Sequence, residues 1–128
     1  MKKNILIVAL LIAMLFSPAY GMDTRIHHAT GAAAIASTLA PVTAWQLESI
    51  RVHLSAAGGA GNLTVTVDSG SGSAYDLVIL TQDMTAVTDL VWNPERPMEF
   101  SSGDEIDIAW ANAGNKTYGL EIVWKAVY

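Results

Sequence analysis

An all-β fold, an antiparallel β-sandwich of seven or eight strands, is what this 128-residue sequence predicts, and three observations predict it. Apolar and polar residues alternate with period two from residue 45 onward, as half-buried strands require. Turn signals rich in Gly, Ser, Asn and Asp recur at intervals of roughly eight to twelve residues. No helical stripe of useful length follows residue 45. Because each such strand has one apolar face to bury, two packed sheets are the natural solution, a jelly roll being preferred to an immunoglobulin-like Greek key.

The elements follow in order. Residues 29–40 (ATGAAAIASTLA) are alanine-rich, but Gly31, Thr30, Ser37 and Thr38 weaken a helix, and an extended arm with an edge strand is expected over 22–44, ahead of a sandwich domain over 45–128. Ile50, Val52 and Leu54 share one phase while Trp45 and Leu47 fall on the other, which predicts a bulge or break near Glu48-Ser49. Leu63, Val65 and Val67 alternate with Thr64 and Thr66. Tyr75 to Thr81 is a nearly continuous apolar run and reads as a strand covered on both faces. Asp89 to Trp92, and Met98 to Phe100 after Pro94 and Pro97, read as short edge or corner pieces. Ile106, Ile108 and Trp110 form one strand; Tyr118, Leu120, Ile122 and Trp124 share a face of the last.

The front of the chain is a different object. Lys2 and Lys3 precede an unbroken apolar run from Ile5 to Phe16, Pro18 breaks any helix, and Ala19-Tyr20-Gly21 supplies small residues for cleavage. Residues 1–21 thus have the layout of a secretory signal cleaved after Gly21, or of a short membrane anchor if uncleaved; Met22 as the true start is the other reading. The run is short of the roughly 20 residues a span needs. Export would place the domain in the periplasm or outside the cell. Without Lys2 and Lys3, five basic residues face twelve acidic ones, a formal charge of −7. That balance argues against nucleic acid, and confines any membrane contact to residues 1–21. With no cysteine in the chain, the domain must be held by packing or assembly alone.

Assembled chemistry is hard to find. His27-His28 are adjacent, so in a strand they point to opposite faces and cannot both ligate one ion; with His53 they read as surface histidines. Asp104-Glu105-x-Asp107, and Asp68 with Asp76, lack the spacing of an EF-hand and read as solvated acidic turns. No nucleophile elbow or phosphate loop is present in the sequence. The expectation is therefore a protein that is not an enzyme and needs no metal or other cofactor. Trp110 and Trp124 share phase with aliphatic neighbours and belong to the core. Trp45, Trp92 and Tyr75 are candidates for an interaction surface, against the alternative that the two tryptophans cap the ends of the sandwich.

From His27 to Val123 the chain resembles small β-sandwich virion accessory proteins encoded by tailed phages and prophages. The matching pieces are Thr30-Gly31-Ala32-Ala33-Ala34-Ile35-Ala36-Ser37, Leu47-Glu48-x-Ile50-Arg51-x-His53-Leu54-Ser55, Ala74-Tyr75-Asp76-x-Val78 and Thr88-Asp89-Leu90-Val91-Trp92. Gly103-Asp104-x-Ile106-Asp107-Ile108 and Lys116-Thr117-Tyr118-Gly119-Leu120-Glu121-Ile122 complete them. The resemblance implies a non-catalytic structural role in a virion, as a head decoration or a fibre- or tail-associated module. Such a role is expected to involve a homo-oligomer, a trimer being favoured, attached to a larger assembly such as a capsid or tail. An export signal is not part of that pattern. The rival expectation is an exported module that binds carbohydrate or protein.

Overall fold

A computed structural model of the protein describes residues 21–128; the signal or anchor expected over 1–21 lies almost wholly outside them. Nine strands follow one another: β1 (Met22–Gly31), β2 (Ile35–Leu39), β3 (Trp45–Leu54), β4 (Asn62–Asp68), β5 (Leu77–Asp83), β6 (Asp89–Trp92), β7 (Met98–Phe100), β8 (Glu105–Trp110) and β9 (Tyr118–Val127). A single 3-10 turn, Ser73–Tyr75, is the one helical piece among the described residues. The expected arm over 22–44 contributes two edge strands, β1 and β2, one to each sheet.

The first sheet has the order β1-β9-β3-β6, with β7 also pairing β3; the second has the order β2-β8-β4-β5. All pairings are antiparallel. β7 holds Trp45 to Leu47 of β3 and β6 holds Ile50 to His53, so the two are halves of one edge interrupted at Pro94 and Pro97. Counting them together gives eight strands in two four-stranded sheets. Successive strands cross from one sheet to the other except at the β4–β5 hairpin, which is the jelly-roll arrangement.

The register explains the phase slip read in β3. Leu47 pairs with Trp124 and Ser49 with Val123, so Glu48 is the extra residue of a bulge. Both halves of the strand thereby turn their apolar side chains inward, and Trp45, Leu47, Ile50, Val52 and Leu54 are all buried. They meet Leu63 and Val65 of β4, Ile106, Ile108 and Trp110 of β8, and Leu120 and Ile122 of β9 in one core. Glu48 turns outward to Lys125 at 3.2 Å.

One expectation is corrected. β5 is not covered on both faces: it ends its sheet, pairing with β4 and with no second strand among the described residues. Leu80, opposite buried Val65, packs on the core, while Leu77 and Val78 are exposed, with a bulge at Ile79 between Val65 and Thr66 of the partner.

The two open sides of the sandwich are finished differently. Where β1 and β2 meet, His27 Nε2 lies 3.1 Å from Ser37 Oγ, while Arg25, 5.5 Å over the Trp124 ring, and Thr30, donating to the Tyr118 carbonyl, hold β1 to β9 of its own sheet. On the other side, half-buried Ile79, Leu80, Leu90, Trp92, Met98 and Phe100 pack against the core without such polar lacing among the described residues. The loop after β3 is clasped to the loop after β5 by Gly58, whose N–H donates to Val87 and whose carbonyl accepts from Ala86. A Cβ there would lie 2.3 Å from the Met84 carbonyl oxygen, so only glycine permits this approach.

Candidate interaction surface

The three aromatic candidates go to different places. Trp45 is fully buried, stacked on Phe100 with centroids 4.3 Å apart and set edge-on to Trp124 at 6.3 Å. Its indole N–H donates to the Asp104 carbonyl, so it is core and offers nothing to a partner. The reason is register: Trp45 shares the inward phase of Leu47 once β7 covers it. Trp92 faces Ile50 across the β3–β6 pair and is half-buried against the core. Tyr75 alone stands clear, 69% exposed on the 3-10 turn that leads into β5.

Tyr75 is continued by residues that sequence reasoning did not single out. Leu77 is 59% and Val78 52% exposed, and Ile79 is half-buried beside them. An apolar strip on a sheet edge is the kind of surface that marks an interaction site in a soluble domain. The signal in the sequence was the unbroken run itself, which reads equally as a central strand until the strand order is known.

Carboxylates frame this strip. At its start, Asp76 Oδ1 accepts from the Ser69 N–H at 2.9 Å. At its end, Asp83 Oδ1 accepts from the N–H and the hydroxyl of Thr85 at 2.9 and 2.7 Å, which holds its carboxyl below the usual carboxylate range. Asp104 ties the neighbouring loops, accepting from the N–H groups of Gly70 and Ser101. The acidic turns are thus spent on backbone N–H groups, as Asp side chains in turns commonly are. The four strands of this sheet carry Asp68, Asp83, Glu105 and Asp107 and no Lys or Arg. In the other sheet cations are interspersed and matched: Arg25 with Asp23 at 3.2 Å, Arg51 with Glu121 at 3.4 Å, and Lys125 with Glu48.

The histidines separate as adjacent strand residues must. His27 turns inward to Ser37, whereas His28 lies 3.3 Å from Glu121 on the outer face of the first sheet. His53 meets Asp89 at 2.6 Å on that same face. Shallow depressions flank Gly119 there, lined by His28 and Thr30 on one side and by Arg51, His53 and Asp89 on the other. Among the described residues no three His, Asp or Glu side chains converge as metal ligands. Each charged group of the face already has a partner within its own sheet.

No protein-family model matches the chain, and no curated protein matches it. Solved structures do. A structure described as Bacillus endospore appendages forming a family of disulfide-linked pili aligns at 15% identity with a TM-score of 0.43, over 84% of this chain and 87% of that one. The periplasmic inhibitor of g-type lysozyme PliG from Aeromonas hydrophila aligns at 15% identity and 0.30, over 88% of this chain and 91% of that one. A structure of infectious bursal disease virus, Gx strain, aligns at 13% identity and 0.36, over 87% of this chain but 32% of that one. These three similarities stay below a TM-score of 0.5, and the jelly-roll topology stands on the chain's own strand order. A jelly-roll β-sandwich with an exposed apolar edge is the class of protein that fold and surface define.

Proposed function

We propose that this protein is a non-catalytic structural module that self-associates, as a trimer, and attaches to a larger protein assembly of the kind found in tailed-phage heads or tails. The fold by itself carries no function, since jelly rolls host many. The observation that supports attachment to another protein is the apolar strip of Tyr75, Leu77 and Val78, left open at the edge of a sandwich whose core is otherwise closed. A chain of this size gains stability by covering such a strip against another protein. The histidines and carboxylates of the outer face are engaged with one another, which is the behaviour of a solvated structural surface.

Light scattering on the purified 22–128 chain at micromolar concentration tests this. A stable oligomer, three copies in size, is expected. A clean monomer across that concentration range would overturn the self-association.

A further inference from the structure

We propose that the outer edge of β5 is a docking strand for an extended apolar segment flanked by lysine or arginine, contributed by a different protein. The proposal rests on the assembly function above and names its attachment edge. An edge strand presents unpaired N–H and C=O groups, so the occupant that satisfies it is another strand.

Comparison of the edges singles out β5. β1 is long but carries Asp23, Arg25, His27 and His28, and its His27 bridges to Ser37 of β2. β2 has five residues, and β6 and β7 have four and three on either side of Pro94 and Pro97. Short strands, charges and prolines are the usual protections of an edge. β5 has seven residues, is uncharged from Leu77 to Gln82, and exposes Leu77 and Val78.

Charge decides the occupant. Between Arg51 and Arg96 the chain has no Lys or Arg, while Asp68, Asp76, Asp83, Asp89 and Glu95 fall in that stretch. Asp76 and Asp83 bracket the apolar strip, and the rest of the sheet adds only acids. A second copy brought edge to edge would set two acidic sheets side by side, which like-charge repulsion disfavours. Paired about a two-fold axis, it would also set the bulge at Ile79 near its own image. A strand with basic ends meets no such penalty, and it pairs its side chains with Leu77, Val78 and Leu80 while its termini reach Asp76 and Asp83.

Protein expressed over residues 1–128 is titrated with the synthetic peptide Lys-Lys-Val-Thr-Val-Ile-Val-Lys-Lys and with its Glu-flanked counterpart, and binding is followed by fluorescence anisotropy and hydrogen exchange. The basic peptide is expected to bind about tenfold or more tightly than the acidic one at low salt, a preference that shrinks as salt is raised. Exchange should slow at β5 amides. Val78→Lys should weaken binding by about tenfold, as a like charge placed at the contact does, and Val91→Lys, on the outer face of the other sheet, should leave it unchanged. Equal binding of the two peptides, protection confined to β1, or a folded Val78→Lys protein with unaltered affinity would overturn the proposal. So would β5 protection that grows with protein concentration alone, because the occupant is then a second copy. If Val78→Lys does not fold, hydrogen exchange on the unmodified protein decides. A monomer that captures the basic peptide refutes self-association and leaves this edge standing; an oligomer that ignores both peptides does the reverse.

Discussion

Asn112 is buried, sits at φ 51 in the left-handed region that asparagine tolerates, and spends its whole amide on the backbone. Nδ2 donates to the carbonyls of Ala33 at 2.7 Å, Lys116 at 2.8 Å and Ala32 at 3.2 Å, while Oδ1 accepts from the Lys116 N–H at 3.0 Å. One side chain therefore ties the β1–β2 corner to the β8–β9 turn. Asn112→Ala leaves those groups without partners and should cost about 2–4 kcal/mol, read as a lower denaturation midpoint at unchanged slope. Asp83 offers a titration instead. Its native pKa is depressed by the N–H and hydroxyl of Thr85, so the stability it contributes is present above the ordinary carboxylate pKa and lost as pH falls through the native value. An NMR titration should place the Asp83 midpoint below that of an unstructured aspartate, and Thr85→Ala should move it part of the way back. An unmoved midpoint would exclude the hydroxyl as a cause.

Among the elements, β3 and β5 show what a sequence can carry and what it cannot. The bulge at Glu48 was legible because a phase slip between Leu47 and Ile50 is local: period-two alternation breaks within three residues, whatever the partner strands are. The misreading of β5 is the opposite case. Whether Leu77 to Thr81 is central or marginal depends on strand order, which is set by crossovers between distant segments. Tyr75 was legible as an interaction candidate, although the run from Tyr75 to Thr81 reads as a strand and not a turn, whereas Leu77 and Val78 became part of the surface only through their place at the end of a sheet. Trp45 failed as a surface candidate for a similar reason, since its cover comes from Phe100, 55 residues away on β7. Trp45→Ala should cost about 3–5 kcal/mol by emptying the β3–β7–β9 junction, measured by chemical denaturation. A loss under about 1 kcal/mol, the scale of surface substitutions, would show that the junction collapses to fill the space.

At the scale of the whole molecule, the chain is sided. One seam of the sandwich is bridged by His27 and Ser37; the other leaves half-buried Leu, Trp, Met and Phe beside an acidic sheet. The polar seam also contains the first and last strands, and their register is Met22 opposite Val127 through Gly31 opposite Tyr118. Both ends of the described chain therefore leave the same pole as neighbours. The mechanical consequence is directional. Tension applied between those ends peels β1 from β9 one ladder bond at a time, because antiparallel bonds lie across the strands and the load reaches them singly. A module wired this way is a poor link in a chain under pull.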